Sequence, residues 1–419
     1  MIQRRLLFLR KYSLLFKQFV AYVKGDGGVV ESVDYLYSKF TQAPNASILQ
    51  IPTSYKTSVL YNQEPFNPSE DFDVIRNSTV TRVAPNGLLE EIGVNVPCID
   101  YETGEPLLLT QPQSTNKVRY SEDVTQWELL SGATRQGGFS DPRGGNNAYK
   151  ISGAGSAARE NLSSLLATDA RSIWARTVSG SGTAQLCTFN ENTNNLFTIT
   201  EEWQRFEVIG DTLELGSLAF YGVDFRGSGT LNEIILFGAQ AEEQDFVTSY
   251  IPTNGSVATR LGDKIQNAGS TDTINSEEGV LYFEGAALTN VDGVAPRNLS
   301  LSDGTGDNRL LWKYDDTSNR VQFFYRKDLV NIATVTVDSV QVLEINSFVL
   351  AYDDEKLYTY INEVLESVVV LSDTPFSANT LNTLSFDQGT GGSNLYAKTK
   401  ELRVYKSIAE AQIDLPYIT

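Results

Sequence analysis

The chain has 419 residues, a formal net charge of −19, no histidine and two cysteines, Cys98 and Cys187. The missing imidazole excludes Ser-His-Asp and Cys-His nucleophilic sites, histidine general bases and histidine-ligated zinc, and two distant thiols are too few for a closed zinc site or a disulfide framework. So acidic a chain argues against nucleic-acid binding, and 20 Phe with 20 Tyr amid abundant Gly, Thr, Ser and Asn suits cores built from short strands and tight turns.

The charge is unevenly placed. Arg4, Arg5, Arg10, Lys11, Lys17 and Lys24 fall in residues 1–24, which hold no acid, so residues 25–419 carry 27 cations against 52 acids. Ile2, Leu6, Leu9, Ser13, Phe16, Val20 and Val23 step by four and three, which predicts a helix with a heptad seam. Leu7, Phe8, Leu14, Leu15 and Phe19 lie off that seam and need cover. Copies of the helix bundling together, a partner surface, the chain's own body or a membrane surface would each supply it. Nothing else in the chain points to a membrane, and no run approaches the roughly 18 apolar residues of a span. Arg10 and Lys11 interrupt the apolar run and no small-residue cleavage site follows, so the segment reads as retained rather than as a signal peptide.

GDGG at 25–28 ends this helix, and VVESVDYLYSKF reads as a second, short one. From Ile48 the pattern alternates and turns. Between Thr115 and Thr253 strand-like segments such as AYKIS, SIWARTV, QRFEVIG and NEIILFGAQAE are separated by GGNN, SGSGT and RGSGT, the signature of a sandwich or jelly roll. TSYIPTNGSVATRLGD (248–263) reads as a linker. A second series follows, from GVLYFEGAA (279–287) to AKTKELRVYKS (397–407), and IAEAQIDL (408–415) looks like a final helical turn. The fold class expected is mainly β, with an N-terminal helical anchor followed by two β-sandwich domains.

Candidate chemistry is sparse. Carboxylates are the plentiful acid/base groups, and a glycosidase needs two of them across a sugar. The clusters Asp353–Asp354–Glu355 and Asp315–Asp316 fall where turns are expected, which reads as solvated charge. SDGTGDN (302–308) offers Asp303 and Asp307 as oxygen ligands for calcium or a glycan, but it lacks the full EF-hand pattern and a plain turn is the competing reading. GTGGSN (389–394) is not followed by the Lys of a P-loop. Trp127, Trp174, Trp203 and Trp312 offer faces to sugars, though Trp174, Trp203 and Trp312 sit in strands where a core would claim them. No catalytic residue and no cofactor is assigned.

Residues 72–116 carry a denser pattern. Arg76, Ser78, Thr81, Arg82, Val83, Gly87, Leu88, Glu90, Asn95, Val96, Pro97, Asp100, Tyr101, Gln113, Thr115 and Asn116 fit a phrase found in many virion proteins of tailed bacteriophages. The segment resembles that family, while Cys98 and Ser114 stand where the family pattern has Arg. GDGGVVES (25–32) and SYIPTNGSVATR (249–260) resemble two further phrases of similar phage proteins, and NSFVLAYDDEKLYTYINEVL is similar to laminin-G-like or concanavalin-like folds.

The resemblance implies a head fibre, head spike or tail fibre on the virion surface, without enzymatic activity. Its domains would be a helical arm (1–47), a β-rich connector (48–116), a carbohydrate-binding-like jelly roll (117–252), a linker (253–265) and a second sandwich (266–419). A piece of the first sandwich is the alternative reading of 72–116. Arg4, Arg5, Leu6, Leu9, Arg10, Phe16 and Val20 would dock the arm on a capsid or tail protein. The implied partners are further copies in a homotrimer and host-surface glycans, with no nucleic acid and no membrane insertion. A tail-associated receptor-binding protein, a glycan depolymerase and a decoration protein without ligand are the rival readings.

Overall fold

The computed structural model describes residues 42–52, 60–62, 72–162, 169–187, 195–210, 220–290, 293, 297–372 and 375–419. The proposed anchoring residues Arg4, Arg5, Leu6, Leu9, Arg10, Phe16 and Val20, and the short helix expected at 29–40, lie outside the described residues. The rest is mainly β, as the turn-punctuated alternation predicts. The expected final helical turn is the helix Ile408–Asp414, capped by Ser407, whose hydroxyl accepts from the Glu410 amide at 3.2 Å.

One sandwich packs two five-stranded antiparallel sheets. The first sheet runs Thr134–Phe139, Ala148–Ser152, Glu233–Glu242, Asp169–Arg176, Gln204–Gly210; the second runs Leu196–Ile199, Gly182–Gln185, Phe220–Asp224, Ala157–Asn161, Glu128–Leu130. Ile151, Ile173, Leu186, Tyr221, Val223 and Leu236 fill the space between them, and Trp127 packs edge-on to Tyr221 with 5.8 Å between ring centroids. The central strand Glu233–Glu242 is buried on both faces. Ile234 and Leu236 point into the core, but beyond Gly238 the core positions become Ala239 and Ala241. Gly238 makes this change of parity. Its φ is +68° and the pairing with Asp169–Arg176 shifts register there, as a bulge requires. A Cβ at 238 would sit 2.9 Å from the Trp174 ring.

The other sandwich is larger. A nine-stranded sheet, whose central path runs Leu60–Asn62, Ile48–Gln50, Ala397–Tyr405, Gly279–Ala287, Asn346–Tyr352, Lys356–Ile361, Val364–Val370, faces a five-stranded one. Trp312, Phe283 and Phe348 form the centre of its core, with Trp312 stacked on Phe348 at 4.9 Å. The outer face of the large sheet, with Leu49, Val280, Val349 and Tyr405, is covered by Ala43 together with Ala411, Leu415 and Ile418 from the C-terminal helix and tail.

The chain therefore enters the second sandwich before it builds the first. Ile48–Gln50 pairs with Ala397–Tyr405, and Leu107–Leu109 adds to the same strand. Strands expected in a connector are shared out in this way, and Val80–Val83 with Leu89–Ile92 form a separate hairpin. The chain crosses to the first sandwich at Ser114–Asn116 and returns at Ala258–Arg260, and these two strands pair antiparallel as a narrow ribbon. Lys264–Gln266 then pairs back to Asp73–Ile75. The segment expected to link the sandwiches is thus ordered by strand pairing at two points.

Candidate functional site

The residues of the 72–116 pattern gather at the junction of the two sandwiches, where most of them bond to the chain rather than face solvent. Arg76 is fully buried. Its Nη1 meets Asp263 Oδ1 at 2.9 Å, Nε donates to the Ser78 carbonyl, and Nη2 donates to the carbonyls of Gly93 and Val96. Asp263 also accepts from the Gln111 amide at 2.8 Å and lies 3.7 Å from Arg260. Thr81 Oγ1 donates to the Tyr250 carbonyl, Gln111 and Ser249 bond reciprocally, and Asn116 Nδ2 donates to the carbonyls of Ala239 and Ile251. These bonds tie residues 76–116 to residues 239–263, the stretch that holds the second resembling phrase. They form a polar latch. Ser114, which stands where the family pattern has Arg, donates to the buried Glu242 at 2.6 Å. Cys98 packs beneath the latch with Val80 and Leu109, and burial pushes its thiol up to about 12.

Beside the latch lies a cleft of about 630 Å³, within the size range of small-ligand sites. The hairpin contributes Arg82 and Val83, the first sandwich contributes Trp174, Arg205, Glu207 and Ile209, and the second contributes Leu343 and Lys398. Strand alternation explains the first-sandwich wall. Phe206 and Val208 face the core, so Arg205, Glu207 and Ile209 share the outer face. Ile209 is 54% exposed and Leu343 is 55% exposed, so each sandwich presents an apolar side chain to the cleft.

The charges in the cleft are paired but partly wet. Arg205 lies 4.6 Å over the Trp174 ring, donates to Ser172 Oγ and the Thr248 carbonyl, and stands 3.8 Å from Glu207. Lys398 stands 3.8 Å from Glu102. Arg82 reaches Glu90 at 2.6 Å and donates to the Ile99 carbonyl. Asp100 accepts from the amides of Val83 and Glu102, each at 2.8 Å. Burial raises its carboxyl above the ordinary range while those two amides oppose the rise. Glu207 is raised as well, by the desolvating walls first, with Arg205 pulling the other way. The cleft thus offers apolar contact, donors and acceptors within one concave surface.

Of the 72–116 pattern, Thr81, Arg82, Val83 and Asp100 line the cleft, while the residues read as candidate chemistry fall elsewhere, with one exception. Asp303 spends one oxygen on the Thr305 amide and hydroxyl and the other on Asn308 Nδ2; burial tends to raise its carboxyl, but these bonds outweigh that and hold it low. The Asp307 carbonyl accepts from the Leu329 amide. The loop is a turn closed on itself, and among the described residues no group of three or more acids and thiols could hold a metal ion. Asp353 accepts from the amides of Glu355 and Lys356, so that cluster is a strand turn. GTGGSN folds its Gly389, Thr390 and Gly391 amides around Asp387, an internal anion. Trp127 and Trp312 are core residues, and Trp203 is half-buried with Arg176 5.3 Å over its ring. Trp174 is the exception: it is 7% exposed, as a core claim predicts, yet it belongs to the outer-face cluster and lines the cleft. Arg205, Glu207 and Lys398 were missed. The available signal was Ile209, an apolar residue on the strand face that otherwise carries Arg205 and Glu207.

No family model matches the chain, and no curated protein is similar to it. Among solved structures, the carbohydrate-binding module CBM40 of the Ruminococcus gnavus IT-sialidase is 16% identical over 31% of this chain and 76% of its own, with a TM-score of 0.27. The Bacillus licheniformis β-glucanase is 13% identical over 35% of this chain and 72% of its own, with a TM-score of 0.26. Sheep galectin-11 is 8% identical over 30% and 87%, with a TM-score of 0.21. The sandwich architecture rests on the strand pairing of this chain itself.

Proposed function

We propose that the chain is a surface fibre or spike protein of a tailed-phage virion that acts by adhesion, taking an oligosaccharide in the cleft between its two sandwiches. The observation that carries the binding reading is the cleft: about 630 Å³, with Ile209 and Leu343 for apolar sugar faces and Arg82, Asp100, Glu102, Glu207 and Lys398 for hydroxyls. The virion placement rests on the 72–116 resemblance and on the contrast between a basic arm and an acidic body. The arm would dock on a capsid or tail protein and the copies would assemble as a homotrimer, so that weak sites act together through avidity.

Two experiments test the two halves. A panel of immobilised oligosaccharides is presented to the full chain and to Ile209→Trp, which fills the cleft from an exposed position. Binding by the parent chain and its loss in the variant is the expected result; no binding by the parent, or unchanged binding by the variant, refutes the cleft reading. Phage particles carrying a chain deleted for residues 1–24 should lack the protein, and normal incorporation would refute the docking role.

A depolymerase is the second reading. The presence of two carboxyl groups, Asp100 and Glu207, in one cleft favours it, since a glycosidase works with a pair across the sugar. Release of reducing ends from a bound polysaccharide, lost in Glu207→Gln, would establish it over adhesion alone.

A further inference from the structure

The ionic pairing in the cleft carries a statement about which sugars fit. Resting on the carbohydrate reading above, we propose that the cleft selects uncharged oligosaccharides and disfavours sialylated or uronic-acid chains, with Glu207 and Glu102 as the residues that set this choice. Each cation that lines the cleft already has a carboxylate. Arg82 has Glu90 at 2.6 Å, Arg205 has Glu207 at 3.8 Å and Lys398 has Glu102 at 3.8 Å. Arg205 also spends Nη2 on Ser172 and Thr248, and Arg82 spends Nη1 on the Ile99 carbonyl. An incoming carboxylate would have to share Arg205 with Glu207 or Lys398 with Glu102, and would stand against that acid's like charge. Asp100 lines the same wall, so a third acid faces the incoming charge.

A hydroxyl needs no such exchange. It donates to Glu207 or Glu102 and accepts from Lys398 while the ion pairs stay formed. The C–H face of the ring then rests on Ile209 and Leu343, one from each sandwich. The long-range field acts in the same direction, because residues 25–419 hold 52 acids against 27 cations. Selection therefore comes from cations whose charge is already balanced, and removing the balancing acids should favour an acidic ligand.

The test titrates the full chain with paired oligosaccharides, each a neutral chain and the same chain bearing one sialic or uronic acid. The parent protein should bind the neutral member at least tenfold more tightly. Glu207→Gln and Glu102→Gln, nearly isosteric changes at partly exposed positions, should each raise affinity for the acidic member several-fold, and the thermal midpoints verify that both variants fold. Equal or tighter binding of the acidic member by the parent protein overturns the selectivity and leaves the carbohydrate reading standing. Binding of neither member removes the carbohydrate reading itself, and the inference with it.

Discussion

The latch and the cleft lie side by side at one junction, share Thr81 and Tyr250, and are both built around an arginine. Arg76 in the latch has no exposed side-chain surface, an aspartate at 2.9 Å and three backbone carbonyls. Arg205 in the cleft keeps 13% of its side chain exposed, has its nearest carboxylate oxygen at 3.8 Å, and its Nε has no hydrogen-bond partner among the described residues. The same side chain is therefore a structural pin in one place and a loosely held, partly wet group in the other. What separates them is how completely the neighbours satisfy the charge. A buried ion with every bond filled holds a fold together; a partly wet ion at a longer distance can rearrange around a ligand.

Removing the partner of each arginine should show the difference at its largest. Asp263→Ala leaves Arg76 buried without its counter-charge and should cost about 3–5 kcal/mol of unfolding free energy, read by chemical denaturation. Glu207→Gln should move stability by only about 0.5 kcal/mol, as surface substitutions do. A cost under about 1 kcal/mol for Asp263→Ala would mean that the latch is not a structural pin.

Gly238 joins the two regions, since it sets the strand parity behind Trp174. Gly238→Ala combines a left-handed φ with a contact on the Trp174 ring and should cost about 2 kcal/mol. Trp fluorescence should report a shifted environment. Unchanged stability would place the parity switch elsewhere on the strand.

Much of the fold was legible and little of the site was. Strand alternation and Gly/Asn/Ser turns are local, so the two strand series and the helix after Ser407 could be read from their own residues. Pairing across a sheet is not local. Nothing in ILQ at 48–50 announces a partner at 402–404, because any half-apolar strand fits any edge. The latch residues were legible as a pattern but not as a structure, since Arg76 finds its aspartate 187 residues away. The cleft was hidden for a further reason. Its walls come from many separate stretches between Thr81 and Lys398, and the strand carrying Trp174 is buried on both faces, so periodicity could not tell an inward ring from one facing another domain.

A smaller effect is expected at Cys98, which sits under the latch. Its thiol should stay unlabelled by iodoacetamide at pH 8 in the folded protein and react when the latch opens. Asp263→Ala should speed that labelling and leave Cys187, buried in the first sandwich, slow. Because burial raises the folded thiol's pKa from 9.0 to about 12, its contribution to stability is complete below pH 9 and is lost as pH rises towards 12. A Cys98→Ser variant should therefore show a weaker alkaline loss of stability than the parent chain. An identical loss would mean that other groups govern it.

Hydrogen–deuterium exchange of the full chain, with and without a neutral oligosaccharide that it binds, would locate the ligand without any substitution. Added protection is expected in residues 204–210 and 246–247, with the latch amides of Ser78, Gln111 and Ser249 already slow and unchanged. Protection confined to the turn at 302–308 or the loop at 387–394 would contradict the cleft reading and move the binding site to the loops of the second sandwich.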